Sequence, residues 1–117
     1  MLVDDDECIR DAFTEVLRDE GFQVRGYRSG QEALEALKNC ETPNLILLDW
    51  MMPGMSGQEF IQSDSASAAA KTLPVVVISA VAEKIGAIPG IRGCVKKPVD
   101  IEELLRTVRF YCGQSAA

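Results

Sequence analysis

Three carboxylates stand where apolar runs of this sequence end. Asp4 and Asp5 follow the run Met1-Leu2-Val3, and Asp49 directly follows the run Leu45-Ile46-Leu47-Leu48. If both runs are parallel strands, the carboxylates emerge at the same end of one sheet, where open parallel sheets bind ligands. Each pair of such charges at about 4 Å repels by on the order of 4 kcal/mol at intermediate dielectric. The sequence therefore predicts a bound cation, and Mg²⁺ is favoured because it uses few carboxylates, keeps waters and bridges to phosphate oxygens.

Two further polar groups follow later apolar runs. Ser79 ends the run Val75-Val76-Val77-Ile78, and Lys97 stands two residues after Val95. The Lys97 ammonium suits one phosphoryl oxygen as a point charge, and the Ser79 hydroxyl can bond to another. Each polar residue also has an ordinary explanation, such as an aspartate at a helix start or a solvated lysine. Their shared position after apolar runs favours a common site.

Size and composition limit the classes of function. The 117 residues predict one domain, which we place at residues 1–112, with a frayed tail at 113–117. No apolar run approaches the length of a membrane span, and acids begin at Asp4, where a signal peptide would be apolar. We therefore expect a cytoplasmic protein with no membrane segment. A net charge of -6 without a basic stretch argues against nucleic acid as a partner.

The cysteines and the absence of histidine exclude several kinds of site. The chain has four cysteines, spaced far apart, and no histidine to complete a zinc ligand set: Cys8, Cys40, Cys94 and Cys112. We interpret them as reduced thiols. Without histidine, the chain itself cannot carry a histidine-based triad or phosphohistidine chemistry.

Four helices are predicted to position the polar groups. Their N-caps are Asp6, Ser29, Ser56 and Asp100, and each of the two serines precedes a glutamate by three residues, as in a capping box. The third helix is predicted to run toward Ala70. Helical spacing predicts these buried stripes: Ile9, Phe13, Val16 and Leu17; Ala33, Leu34 and Leu37; and Ile101, Leu104, Leu105 and Val108.

The apolar runs indicate a parallel sheet. The runs 45–48 and 75–78 are continuous, as strands covered on both faces require. After a helix stop at Gly21, the alternating segment Phe22-Gln23-Val24 predicts a short strand. This repeated strand-helix alternation predicts a parallel sheet with helices on both faces and right-handed crossovers.

At these residues the chain resembles the receiver domain of two-component response regulators along essentially its whole length. The matching segments are Val3–Asp6, Leu47–Gly57, Ile78–Ala80 and Val95–Pro98. The resemblance implies an α/β, flavodoxin-like, doubly wound (βα)5 fold with a five-stranded parallel sheet in the order 2-1-3-4-5.

The resemblance also implies the chemistry of the site. Asp49 would accept a phosphoryl group from a histidine kinase or phosphotransfer protein, with Lys97 and Ser79 sharing the developing charge. The domain would catalyse its own phosphorylation and slow dephosphorylation, and is not expected to be an enzyme that acts on other substrates. The expected ligands of Mg²⁺ are Asp5, Asp49, the Met51 carbonyl and, through water, Asp4. Receivers also carry a cis peptide bond before the residue that corresponds to Pro98, as proline permits.

Several positions depart from the family pattern. Cys94 stands where receivers carry the aromatic residue of their switch, so we expect signalling through the loop after Ser79. Met51 and Val81 flank the path of the attacking water in receivers, and both are apolar here, which predicts slow hydrolysis. Pro and Gly residues restrict the helix before the fifth strand to about residues 82–88, short or distorted. Because this alters a face used for dimerisation, we expect a monomer or weak dimer.

Two other functions remain open on sequence grounds. A phosphatase with an aspartate nucleophile would need a second aspartate two residues after Asp49, where Met51 stands. A docking module that works without phosphorylation would need neither the acids nor Lys97, so their presence argues against this function. The replacement at Cys94 and the short helix keep it possible. With only twenty residues after Lys97, we expect either that the signal passes by contact with an unidentified downstream protein or that the chain is cut from a larger protein.

Overall fold

The computed structural model describes residues 1–39, 43–51, 54–63, 74–80 and 91–113. Its elements, in chain order, are β1 (Leu2–Val3), α1 (Glu7–Asp19), β2 (Gly26–Tyr27), α2 (Gly30–Lys38), β3 (Ile46–Asp49), α3 (Gly57–Gln62), β4 (Val75–Ser79), β5 (Ile91–Lys96), α4 (Ile101–Val108) and a π-helical turn (Arg109–Gly113). The strands pair in parallel in the order β2-β1-β3-β4-β5. This order confirms the predicted flavodoxin-like α/β fold. The predicted helix at 82–88 and residues 114–117 lie outside the described residues.

The sheet separates two apolar clusters. Successive strand residues face opposite sides, so Leu2 joins the cluster beneath α1 and α4, whereas Val3 joins the cluster beneath α2 and α3. The largest fully buried side chains include Phe60 of α3 and Leu104 of α4, one in each cluster. The central strands β3 and β4 are buried throughout, as their continuous apolar sequence predicted.

All four predicted N-caps are confirmed. Asp6, Ser29, Ser56 and Asp100 each accept a backbone N–H from the first turn of their helix. Ser56 and Glu59 form a complete capping box. The glutamate that follows Ser29 differs, because the Glu32 carboxylate accepts from Arg28 Nε at 2.6 Å.

The predicted strand at Phe22-Gln23-Val24 is wrong. β2 lies at Gly26–Tyr27, because the short β1 pairs Leu2 with Gly26 and Val3 with Tyr27. Phe22 and Val24 instead pack against the cluster beneath α1. Their alternation therefore reflects partial burial beside the sheet and carries no strand pairing.

Two predicted helical features also differ from the structure. α3, which was predicted to run toward Ala70, ends at Gln62, because Ser63 is extended and its hydroxyl donates to the Phe60 carbonyl at 2.7 Å. Residues 64–73 lie outside the described part of the chain. In α4, Ile101 is 38% exposed, although it was predicted to be buried. Side chains tilt toward the helix N-terminus, so the first residue covers the preceding loop more than the core.

No helix in the described part of the chain combines the length and apolar character needed to cross a membrane.

Candidate functional site

The carboxyl ends of β1 and β3 bring the three carboxylates together. Parallel pairing sets Val3 beside Leu48, so the next residues along each strand meet at one edge of the sheet. Asp4, Asp5 and Asp49 each offer an oxygen, and these oxygens all lie within 4.8 Å of one another. Asp4 and Asp49 are buried, with exposed fractions of 0% and 3%, whereas Asp5 is exposed. The cluster therefore reaches solvent through Asp5.

Asp49 has partners from the far end of the sheet and from its own loop. Lys97 Nζ, which follows β5, lies 3.1 Å from Asp49 Oδ1, and the Lys97 side chain is 33% exposed. Burial raises the pKa of Asp49, and the hydrogen bond from Lys97 opposes that shift. The backbone amide of Met51 also acts to lower the pKa of Asp49.

Asp4 is buried, and only one of its two carboxylate oxygens accepts a hydrogen bond. Its Oδ1 accepts the Asp6 N–H at 2.9 Å. Its Oδ2 is the one buried side-chain oxygen or nitrogen, among residues that the structure describes, without a hydrogen-bond partner. Burial raises the pKa of Asp4 to about 6, and the negative charge of Asp49 contributes in the same direction.

This arrangement fits a hard divalent cation. Mg²⁺ uses one or two carboxylates and keeps several waters, and the cluster combines two buried carboxylates with an exposed one through which water has access. A cation would supply the charge that the buried Asp4 Oδ2 lacks. The donor set is entirely oxygen, as Mg²⁺ prefers.

Ser79 and Lys97 are joined through the backbone. Ser79 ends β4, is 1% exposed, and pairs in register with Lys96 of β5. The Lys97 N–H donates to the Ser79 carbonyl at 2.9 Å, which fixes the first residue after β5 against the end of β4. The Lys97–Pro98 peptide bond is cis. The ends of four strands, β1, β3, β4 and β5, thus contribute to one edge.

The loop after Asp49 is tied to the start of α3. Gly57 N–H donates to the Trp50 carbonyl at 2.9 Å. A Cβ at Gly57 would lie 2.9 Å from the Trp50 Cα and 2.6 Å from its ring, so only glycine permits this approach. Met51, by contrast, is 71% exposed. Trp50 is thus held against Gly57, and the Met51 side chain extends into solvent.

The remaining predicted switch and lifetime residues lie apart from the acids or outside the described residues. Cys94 lies in β5, paired with Val77, and is half-buried; burial raises the pKa of its thiol. Among the residues that the structure describes, Cys8, Cys94 and Cys112 are in no disulfide. Val81 lies outside the described residues.

Sequence reasoning missed Arg10. This α1 residue donates from Nη1 to the Asp4 carbonyl at 2.8 Å and so contacts the backbone of the acid cluster. Its position on the helix carries no motif, and the contact depends on how α1 packs over the sheet. The side-chain length and the six-residue separation from Asp4 were the only available signals.

Comparison with known proteins identifies the family of the chain. The model of the family described as response regulator receiver domain matches residues 1–109. The chain is 33% identical over 116 residues to the DNA-binding response regulator MtrA of Mycolicibacterium smegmatis, covering 93% of this chain and 48% of that protein. The chain thus spans about half the length of such curated relatives.

Solved structures give the same result. A response regulator receiver domain protein from Methanospirillum hungatei has a TM-score of 0.84 at 32% identity, covering 97% of this chain and 92% of that one. The chemotaxis protein CheY4 of Vibrio cholerae has a TM-score of 0.83 at 30% identity, covering 94% of each chain. These neighbours share the parallel sheet order and its helices with the present chain.

Proposed function

Because the chain belongs to the response regulator receiver family, we propose that it accepts a phosphoryl group on Asp49 and passes the signal to a partner protein. The donor would be a histidine kinase or a phosphotransfer protein. The acceptor domain would comprise residues 1–112. The observation that carries this proposal is the pairing of the buried Asp49 with Lys97 at 3.1 Å, beside two further carboxylates.

The proposed step is an in-line displacement on phosphorus. An Asp49 carboxylate oxygen attacks the donor's phosphorus, the bond from phosphorus to the leaving group breaks, and an acyl phosphate forms on Asp49. Lys97 Nζ already contacts Asp49 Oδ1. The same ammonium is therefore suited to stabilise the negative charge on a phosphoryl oxygen when the group is transferred to Asp49. The Ser79 hydroxyl is proposed to donate to another phosphoryl oxygen.

Mg²⁺ is proposed to bind Asp5, Asp49 and the Met51 carbonyl, with Asp4 bound through water. When bound, it would offset the negative charge that builds up on the phosphoryl oxygens. The unpartnered Asp4 Oδ2 supports a cation at this position. The influence of the Met51 backbone amide on the pKa of Asp49 supports the proximity of that residue's backbone to the site.

The first experiment is intact mass spectrometry after incubation with Mg²⁺ and acetyl phosphate. We expect one added phosphoryl group in the parent protein and none in Asp49→Asn or in the presence of a chelator. Asp11→Asn is the matched control, because Asp11 is exposed on α1 and its substitution removes the same charge. It should be phosphorylated like the parent.

Two outcomes would change the proposal. If the folded parent gains no phosphoryl group, the docking module that works without phosphorylation becomes the better interpretation. If it gains one, the decay of that group tests slow hydrolysis, for which the exposed apolar Met51 is the proposed cause. Decay that is slower in Met51→Asn than in the parent contradicts that cause.

A further inference from the structure

Arg10 connects α1 to the segment that carries two of the acids. Its guanidinium donates to the Asp4 carbonyl at 2.8 Å in a partly buried position. The backbone N–H of Arg10 meanwhile donates to the Asp6 carbonyl at 2.9 Å as part of the helix. One residue therefore holds both ends of the turn between β1 and α1.

The path of the Arg10 side chain depends on a glycine in β2. A Cβ at Gly26 would lie 3.1 Å from Arg10 Cδ and 3.2 Å from its Cγ. Both distances are shorter than an ordinary carbon-carbon contact. Gly26 thus leaves the space in which the aliphatic part of Arg10 crosses the edge strand on its way to Asp4.

Three elements hold the polar groups of Asp4. Its N–H donates to the Tyr27 carbonyl of β2 at 3.1 Å, and its Oδ1 accepts the Asp6 N–H. Its carbonyl accepts from Arg10. Because a peptide unit is planar, fixing the Asp4 carbonyl also fixes the direction in which the chain enters Asp5.

We propose that Arg10 is a positioning residue which, by holding the Asp4–Asp5 peptide, sets the Mg²⁺ affinity of the acid cluster. The proposal rests on the metal site of the proposed function. Arg10 touches neither the cation nor the phosphoryl group in this account. It acts through the backbone that orients both acids.

The direction of the change in Mg²⁺ affinity distinguishes a positioning role of Arg10 from a purely electrostatic one. Arg10 is a cation close to a site for a second cation, so removing its charge alone would strengthen Mg²⁺ binding. Losing the hydrogen bond that orients the acids would weaken it. Groups that orient metal ligands typically change metal affinity by about 10- to 100-fold when removed. We expect the weakening to dominate, at about tenfold.

The test compares Arg10→Ala with Arg18→Ala in the full chain. Arg18 lies on the same helix and donates to the Val24 carbonyl at 3.2 Å, away from the acids. The two variants therefore lose the same charge, the same residue type and a similar bond. Mg²⁺ alone is titrated by calorimetry and by the fluorescence of Trp50, the only tryptophan. Arg10→Ala should raise the Kd about tenfold, and Arg18→Ala should leave it unchanged.

Gly26→Ala provides a second test that keeps Arg10 itself. The new Cβ should displace the Arg10 side chain and weaken Mg²⁺ binding, but it should have no effect in the Arg10→Ala background, which lacks Cγ and Cδ. Arg10→Lys keeps a donor and should recover part of the affinity. Thermal unfolding shows whether Arg10→Ala folds. If it does not, the Mg²⁺ affinities of Gly26→Ala and Arg10→Lys test whether Arg10 positions the acids.

The outcomes distinguish this inference from the proposed function. If the parent binds Mg²⁺ and Arg10→Ala binds equally or more tightly, Arg10 does not position the acids. Equal losses in Arg10→Ala and Arg18→Ala would indicate a general effect of α1 and would also overturn the inference. A parent that binds no Mg²⁺ overturns the proposed metal site, and this inference with it.

Discussion

The interior of the sheet and its carboxyl edge are equally buried but chemically opposite. Val3 and Asp4 are adjacent and both 0% exposed, and Leu48 at 0% precedes Asp49 at 3%. Burying a large apolar side chain stabilises the fold by about 1.5–3 kcal/mol, whereas burying an unpaired carboxylate destabilises it. From Val3 to Asp4, whose Oδ2 has no partner, the chain therefore changes from stabilising to destabilising burial within one peptide bond. Asp49 is paired with Lys97. Burying charge at the edge therefore lowers the stability that the apolar interior provides.

The largest expected effect tests the interior. Phe60→Ala removes a fully buried ring from the cluster beneath α2 and α3 and should lower the free energy of unfolding by about 3–5 kcal/mol. The loss should be the same with Mg²⁺ and with a chelator, as measured by urea unfolding. Leu104→Ala in the other cluster is the comparison, with about 2–5 kcal/mol. A loss that changes when Mg²⁺ is added would show that interior and edge are not independent.

The edge should show the opposite dependence, on pH and on Mg²⁺. Burial raises the pKa of Asp4 from 3.8 to about 6, so the folded protein binds a proton more tightly than the unfolded chain. Asp4 therefore contributes stability that is present below about pH 4 and is lost as the pH rises through about 6. At 1.36 kcal/mol per pKa unit, the loss is up to about 3 kcal/mol in the metal-free protein.

Asp4→Asn isolates this contribution. Its side chain stays neutral, so with a chelator at pH 7 the variant should be more stable than the parent, and the decline near pH 6 should shrink. Mg²⁺ should stabilise the parent more than the variant, because the variant keeps the proposed direct ligands Asp5 and Asp49 but loses the charge of Asp4. Urea unfolding at several pH values measures both. A parent whose stability is flat between pH 4 and 7 in chelator would contradict the cost assigned to the buried Asp4.

The interior was easier to predict from sequence than the edge. Continuous apolar runs and capping residues have local causes, so β3, β4 and all four N-caps follow from neighbouring residues. The sheet order followed from the family resemblance. β2 was misplaced because its two residues are set by pairing with a short β1, which no local pattern records. Register is a property of two strands and cannot be read from either alone.

At the candidate site, the types of the polar residues could be predicted from the sequence. The contacts between side chains could be predicted only in part. The acids after β1 and β3 and the lysine after β5 were identified because polar residues end apolar runs. The contact of Arg10 with the Asp4 carbonyl depends on the packing of α1, and the glycine that admits it lies in another strand. Long-range side-chain contacts of this kind have no periodicity. The structure was needed to find them.

The smallest expected effect compares two helix starts, of which only one is bonded to the residue that follows Asp49. Ser29→Ala and Ser56→Ala each remove an N-cap bond of 3.2 Å, and each should lower the free energy of unfolding by about 1 kcal/mol. Only Ser56 begins the helix whose Gly57 N–H holds the Trp50 carbonyl, next to Asp49. Ser56→Ala should therefore slow phosphorylation by acetyl phosphate, and Ser29→Ala should not. The slowing should be well below the roughly 100-fold that a 1 Å misplacement of reacting groups can cause, because the glycine packing remains. Equal rates in both variants, at matched stability, would mean that the edge tolerates motion of α3 and that β1 and β3 alone position the acids.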